Sequence, residues 1–359
     1  MPPLSRFRSL FVVVAASLCG NAVLANETLY GRLNVSLDYV RAHGPGGDEP
    51  SLRRVSSNSS RIGFRGAESL GRGLVAIWQI ESSIGADAGG GVLANRETFI
   101  GLDGDWGTLK AGHFLSPYDD MHAVFGNVTT LTTSILSTAG IWAQGSLSKV
   151  AGGFDARLAN SIRYDTPEFN GLEGSVQVAL GEDIPRSHVL SLGAVYNSGA
   201  FEAGVAWERN RRIRGEGVDD WGVTATAAYN FGPLRVAGVY ERLRYDTPIG
   251  TLSRNFWGAS ATYVDGPRSL YLFWGHALDG RAPADVRVGG LTRGAGSGAD
   301  QYEITFTYTL SPRTLAYIGY VRLANEARAS YNFSTNPYTA GSPTGLRLNG
   351  YIAGAAHFF

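Results

Sequence analysis

The sequence predicts an all-β chain that closes into a membrane-spanning antiparallel barrel. Three observations lead there: the period of the hydropathy, the length of the periodic segments, and the unequal size of the connections between them. Apolar and polar residues alternate through about sixteen segments of roughly 9 to 13 residues, the β period rather than the helical one. In the first segment Leu29, Gly31, Leu33, Val35, Leu37 and Tyr39 fall on one face, and Arg32, Asn34, Ser36 and Asp38 on the other. The same division recurs at 172–180, 221–231 and 301–310, where Tyr302, Ile304, Phe306, Tyr308 and Leu310 oppose Gln301, Glu303, Thr305, Thr307 and Thr309.

Length separates a membrane barrel from a soluble sandwich. Sandwich strands run about 5 to 6 residues; these are about twice that, matching the 9 to 11 residues of a tilted strand crossing hydrocarbon. Aromatics gather near segment ends, among them Tyr30, Tyr39, Tyr164, Trp207, Trp221, Phe231, Tyr240, Trp257, Tyr263, Phe306, Tyr317 and Phe359, as interfacial girdles require.

The connections alternate in size. Breakers such as Gly71-Arg72-Gly73, Asp103-Gly104-Asp105, Asn170-Gly171, Gly232-Pro233, Asp265-Gly266-Pro267 and Ser311-Pro312 mark tight turns. Longer polar loops are expected at 41–51, 84–93, 210–217, 246–252, 279–298 and 325–345. Short turns on one side and long loops on the other are the habit of transmembrane barrels. Residues 115–150 form the one anomalous connection, too long for a plain loop. With Phe125, Ile135, Leu136, Ile141 and Trp142 it is too apolar to float in solvent, so it is expected to fold inward against the barrel wall.

Residues 1–25 read as a secretory leader, with Arg6 and Arg8 ahead of an apolar run and small residues Val23 and Ala25 at its end, leaving 26–359 as the barrel domain. The only cysteine, Cys19, lies in the leader, which removes disulfides, thiolate metal sites and a cysteine nucleophile from the barrel. Beyond the leader, 31 acidic residues outweigh 29 basic ones (31 less Arg6 and Arg8), so a nucleic-acid partner is not expected. Only Lys110 and Lys149 are lysines, so fixed positive charge is almost entirely guanidinium.

The arginines share a phase. Arg32 alternates with Leu33 and Leu37, Arg61 and Arg65 with Ile62 and Phe64, and Lys110 with Leu109 and Ala111. Arg157 and Arg163 alternate with Leu158, Ile162 and Tyr164, and Arg96 is read as opposing Phe99 and Gly101. A guanidinium facing lipid near the midplane costs about 2 to 4 kcal/mol, so the set is expected to point inward. Such a row would repel itself in a dry core, whereas water and opposing carboxylates screen it in a wet lumen. The resulting transverse field favours anions in transit.

These residues resemble the trimeric general diffusion porins of Gram-negative bacteria, especially the β-proteobacterial and neisserial branch. The resemblance is carried by Ser60-Arg61-Ile62-Gly63-Phe64-Arg65-Gly66, by Ala76-Ile77-Trp78-Gln79-Ile80-Glu81, by Ser116-Pro117-Tyr118-Asp119 after Gly107-Thr108-Leu109-Lys110, and by the final Ala356-His357-Phe358-Phe359. It implies a sixteen-stranded antiparallel barrel, three barrels per assembly, and a third external loop folded inward at Asp119 and Asp120. It also implies a basic constriction wall of Arg32, Arg61, Arg96 and Arg157, joined by Arg65 and Lys110, and a terminal Phe359 read by the barrel-assembly machinery. The chain departs from acid-rich relatives, because no carboxylate lies between Asp120 and Asp155 and hydroxyl residues fill that stretch.

The expected function is a water-filled outer-membrane channel for passive diffusion of small hydrophilic solutes and ions, anion-leaning, without cofactor, in contact with outer-membrane lipid and lipopolysaccharide. A channel specific for a sugar or organic anion, with Tyr30 and Tyr320 as scattered lumen aromatics, is the alternative; a non-transporting adhesive barrel is another. An enzyme is not expected: His43, His113, His122, His188, His276 and His357 are scattered singly, without a nucleophile and base pair. Spacings for a metal site are likewise missing, and the glycine runs at 89–91 and 294–298 do not lead from a strand into a helix with a lysine.

Overall fold

A computed structural model describes residues 27–126, 135–144, 152–181 and 186–359. The expected leader, with Cys19, and Lys149 lie outside the described residues. Sixteen strands form one closed antiparallel barrel. They are β1 (Thr28–Gly44), β2 (Gly47–Ser57, resuming as Arg61–Gly71), β3 (Leu74–Ile84), β4 (Thr98–Gly104), β5 (Gly107–Leu115), β6 (Arg157–Asp165), β7 (Leu172–Leu180) and β8 (His188–Asn197). The second half comprises β9 (Phe201–Arg211), β10 (Asp219–Phe231), β11 (Leu234–Thr247), β12 (Gly250–Asp265), β13 (Arg268–Ala277), β14 (Ala299–Ser311), β15 (Thr314–Asn325) and β16 (Arg347–Phe358). Closure comes from β16 pairing with β1, from Arg32 opposite Phe358 to His43 opposite Arg347. A closed cylinder leaves no strand edge in hydrocarbon, and sixteen strands are wide enough for an aqueous lumen.

Burial runs opposite to that of a soluble protein. Leu29, Leu33 and Leu37 are exposed outward while Arg32, Asn34, Ser36 and Asp38 are buried inward, and Tyr302, Ile304 and Phe306 repeat the pattern. An apolar outer band is stable only against lipid. Two expected long loops are absent: β1 and β2 are joined through Pro45-Gly46, and β11 and β12 through Pro248-Ile249. Residues 41–51 and 246–252 are polar because their strands rise above the hydrocarbon, where neither face needs to be apolar.

Tyr30 faces the lumen, as its reading as a lumen aromatic has it, whereas Tyr317 leaves the girdle and Tyr320 the lumen. Tyr30 and Tyr317 face inward: Tyr30 donates to Glu81 at 3.0 Å and Tyr317 to Asn34 at 2.7 Å. Tyr320 faces outward, its ring 5.1 Å from that of Tyr351 and its hydroxyl on Asn349.

The long connection folds inward as the sequence predicts. Ser116 caps its first turn, α1 (Pro117–Asp120), accepting from the Asp119 amide at 3.2 Å with Pro117 in the first turn. A 3₁₀ turn (Met121–Phe125) follows and ends at Gly126, whose φ of 62° is the left-handed conformation glycine adopts without strain. Phe125 packs edge-on against Phe273 of β13 at 5.2 Å, and Trp142 stacks on Phe256 of β12 at 6.3 Å. Burying a side chain such as Phe125, Ile135 or Leu136 contributes about 1.5 to 3 kcal/mol, which fixes the loop to one side of the lumen.

Candidate functional site

The described loop residues pack from β8, where Pro117 meets Gly193, through β12 and β13 to β14 and β16, where Ser137 accepts from Gln301 and Ile135 meets Gly350, and they leave the β1 to β6 side facing them, where the predicted cations lie. Glu81 of β3 is the hub: it accepts from Arg96 Nε at 2.6 Å and from the Tyr30 hydroxyl, and pairs with Arg61 Nε at 3.3 Å. Arg157 pairs with Glu97 at 3.3 Å, and Lys110 with Asp165 at 3.1 Å. Arg163 bridges Asp165 and Asp120, both at 2.7 Å, and so ties the wall to the loop base. Arg65 lies with its guanidinium carbon 5.2 Å from the centre of the Tyr30 ring.

Arg32 has a second duty. The chain breaks β2 at Asn58, Ser59 and Ser60, with Ser59 at φ 57°, and Arg32 donates to the freed carbonyls of Asn58 (3.2 Å) and Ser59 (2.9 Å). It is only 2% exposed, so it contributes charge rather than a contact surface, whereas Arg61 and Arg157 keep about a quarter of their side chains open (27% and 26%).

Strand alternation does not carry every cation to the lumen. Gly101 pairs with Lys110, so Phe99 and Gly101 share the lumen face, and Ile100 and Leu102 are the exposed outer residues. Arg96 precedes β4 and reaches Glu81 from the bend before it. Leu158, read from sequence as lipid-facing, is buried with Ala156, Ala179 and Val189. The cause is a bulge in β6, where Ala159 and Asn160 (φ 52°) stand opposite His113 alone between the Gly112–Ser161 and Phe114–Leu158 pairs, and it resets the phase at the end of that strand.

The loop is held by buried polar bonds. Arg254 of β12 donates to the carbonyls of Ile141 (2.6 Å) and Trp142 (3.1 Å) and pairs with Glu241 of β11 at 2.8 Å, both side chains fully buried. Glu241 also accepts from the Tyr118 hydroxyl at 2.6 Å, and Arg235 donates to the Val124 carbonyl at 2.7 Å. His122 meets Asp155 at 2.5 Å beneath the ring of Trp142.

Six cations (Arg32, Arg61, Arg96, Lys110, Arg157 and Arg163) therefore gather with five carboxylates (Glu81, Glu97, Asp119, Asp120 and Asp165). Sequence reasoning placed the cations but missed Glu81, Glu97 and Asp165, which stand among them on the same wall. Their signal was present, since Glu81 shares the polar phase of Gln79 and Ser83. At the other end of the barrel Phe359 exchanges backbone hydrogen bonds with Gly31 at 2.9 and 3.1 Å, and its ring lies over that glycine.

A closed antiparallel barrel with an apolar exterior, a charged lumen wall and one loop packed across the bore defines a channel-type barrel of the bacterial outer membrane. The chain belongs to the Gram-negative porin family, whose model matches residues 9–328. It is 34% identical over 218 residues to major outer membrane protein P.IB of Neisseria meningitidis serogroup B, a match covering 58% of this chain and 61% of that protein. The chain thus aligns with about three fifths of the length of the curated relatives it matches. Among solved structures it is similar to the anion-selective porin from Comamonas acidovorans, with a TM-score of 0.78 at 23% identity, over 93% of this chain and all of that one. It is also similar to the trimer form of OmpT from Vibrio cholerae, with a TM-score of 0.68 at 14% identity, over 93% of this chain and 99% of that one.

Proposed function

We propose that the barrel is a passive, water-filled diffusion channel for small hydrophilic solutes and ions, leaning towards anions. The supporting observation is the asymmetry of the bore: the loop is anchored to one side, and Arg61 and Arg157 present partly open guanidiniums from the other. Carboxylates stand among these cations on the same wall, so the lean is weaker than an unopposed arginine row would produce. Residues 1–25 act as a leader, Phe359 is read during assembly, and three barrels associate, a state recorded for the neighbouring OmpT fold.

The test is reconstitution of the purified protein in a planar bilayer under a potassium chloride gradient. Stable ohmic steps with a reversal potential of anion-preferring sign are expected. Absence of conductance from folded protein, or a cation-preferring sign, would overturn the reading.

A further inference from the structure

One row of the lumen wall sets an aromatic ring beside an unmatched charge. Arg65 of β2 pairs with Gln79 of β3, and Gln79 with Phe99 of β4, so the three share the lumen face. A strand spacing of about 4.8 Å puts the backbones of Arg65 and Phe99 about 10 Å apart. The row lies two residues farther from the loop than Gly63 and Glu81, on the periplasmic side of the constriction.

Arg65 stands apart among the lumen cations. Arg61, Arg96, Lys110, Arg157 and Arg163 each pair with a carboxylate, whereas Arg65 is exposed and has no ion pair among the described residues. Phe99 is as distinct among the rings. Phe114, Tyr317, Phe256 and Phe273 are buried in the wall or beneath the loop, but Phe99 is only half-buried. Its strand partner Gly112, and Gly101 two residues along β4, put no side chain beside it. Phe114 meets it edge-on at 5.9 Å, and the Lys110 ammonium lies 5.6 Å from its centre. A carboxylate takes a guanidinium fork in two parallel hydrogen bonds, and an aromatic solute lies against Phe99 at about 4.5 to 7 Å between ring centres. The gap across Gln79 is the length of a small molecule carrying both groups, and the single unmatched cation selects a single charge.

We propose that this row binds small aromatic monocarboxylates in transit, the carboxylate on Arg65 and the ring against Phe99, with Tyr30 holding the guanidinium from the other side. The proposal deepens the anion-leaning channel reading and rests on it.

The experiment records chloride current through single reconstituted channels while benzoate, acetate or benzyl alcohol is added on both sides. Benzoate is expected to halve the current at a concentration about tenfold below that of acetate, the ring contributing the difference. Benzyl alcohol, which has the ring without the charge, is expected to leave the current unchanged in that range. Phe99→Leu should bring benzoate to within about twofold of acetate, while Phe99→Tyr, which keeps a ring, should retain the advantage. Arg65→Gln should raise the benzoate concentration needed by about tenfold. Equal block by benzoate and acetate in wild type overturns the proposal, as does block by benzyl alcohol at the benzoate concentration. An unchanged benzoate concentration in Phe99→Leu or Arg65→Gln overturns it too. Chloride steps without a benzoate advantage refute the aromatic row alone, whereas absence of steps refutes the channel reading and the row with it, so the two failures are distinguishable.

Discussion

Arg61 and Arg157 expose about twice the side-chain fraction of Arg96, 27% and 26% against 13%, and on the proposed channel reading they are the cations a passing ion would meet first. Replacing both with glutamine leaves Glu81 and Glu97 under-compensated, and the reversal potential in a salt gradient is expected to move towards cations; an unchanged potential would remove both residues from the conduction path. Asp119 adds a pH dependence. Burial, reinforced by Asp155, pushes its carboxyl up to about 7. It gains a proton as the pH falls through that value, the loop base loses negative charge, and anion preference should rise. In Asp119→Asn that dependence should vanish from reversal potentials measured between pH 8 and 6. The Glu241 and Arg254 pair serves stability. Glu241→Ala strands a buried guanidinium at a cost of about 3 to 5 kcal/mol, whereas Glu241→Gln, which keeps an acceptor for Arg254 and for the Tyr118 hydroxyl, should cost less. The temperature at which the folded barrel loses its compact gel mobility reads the difference.

At the scale of elements, the β1 and β16 seam depends on Gly31. A Cβ there would lie 2.5 Å from Cζ of Phe359 and 2.6 Å from the Arg61 carbonyl oxygen, and the latter is backbone that cannot move aside. Gly31→Val should therefore lower the yield of closed barrel in refolding, while Gly46→Val, with open space around it, should not. The strands themselves were legible in the sequence because lipid on one side and water on the other impose strict alternation. The elements that escaped are those where alternation is locally suspended. The break at Asn58 to Ser60 adds one residue to β2 relative to β1, so Arg54 and Ser56 turn inward before it and Arg61 and Arg65 after it, a change of phase within one strand. The bulge of β6 inserts a residue and inverts the phase beyond it, which misplaced Leu158. Hairpins above the membrane, as at Pro45-Gly46, carry no apolar face and read as loop. Carboxylates interleaved with arginines were visible as polar residues, but which arginine each meets is set by registers between strands that alternation does not specify.

For the whole molecule, the barrel supplies a bore and the inward loop sets its width. The loop is fastened by aromatic packing of Phe125 and Trp142 against β12 and β13 and by Arg254 on its carbonyls, so the narrowing is a built feature of the fold. The most direct measurement is the swelling rate of liposomes containing the protein when placed in neutral sugars of increasing size. Wild type is expected to admit monosaccharides and to slow sharply with chain length. The variant Phe125→Ala with Trp142→Ala, which frees the loop, is expected to admit larger sugars. Equal exclusion by both proteins, or no swelling with wild type, would contradict an open lumen narrowed by that loop.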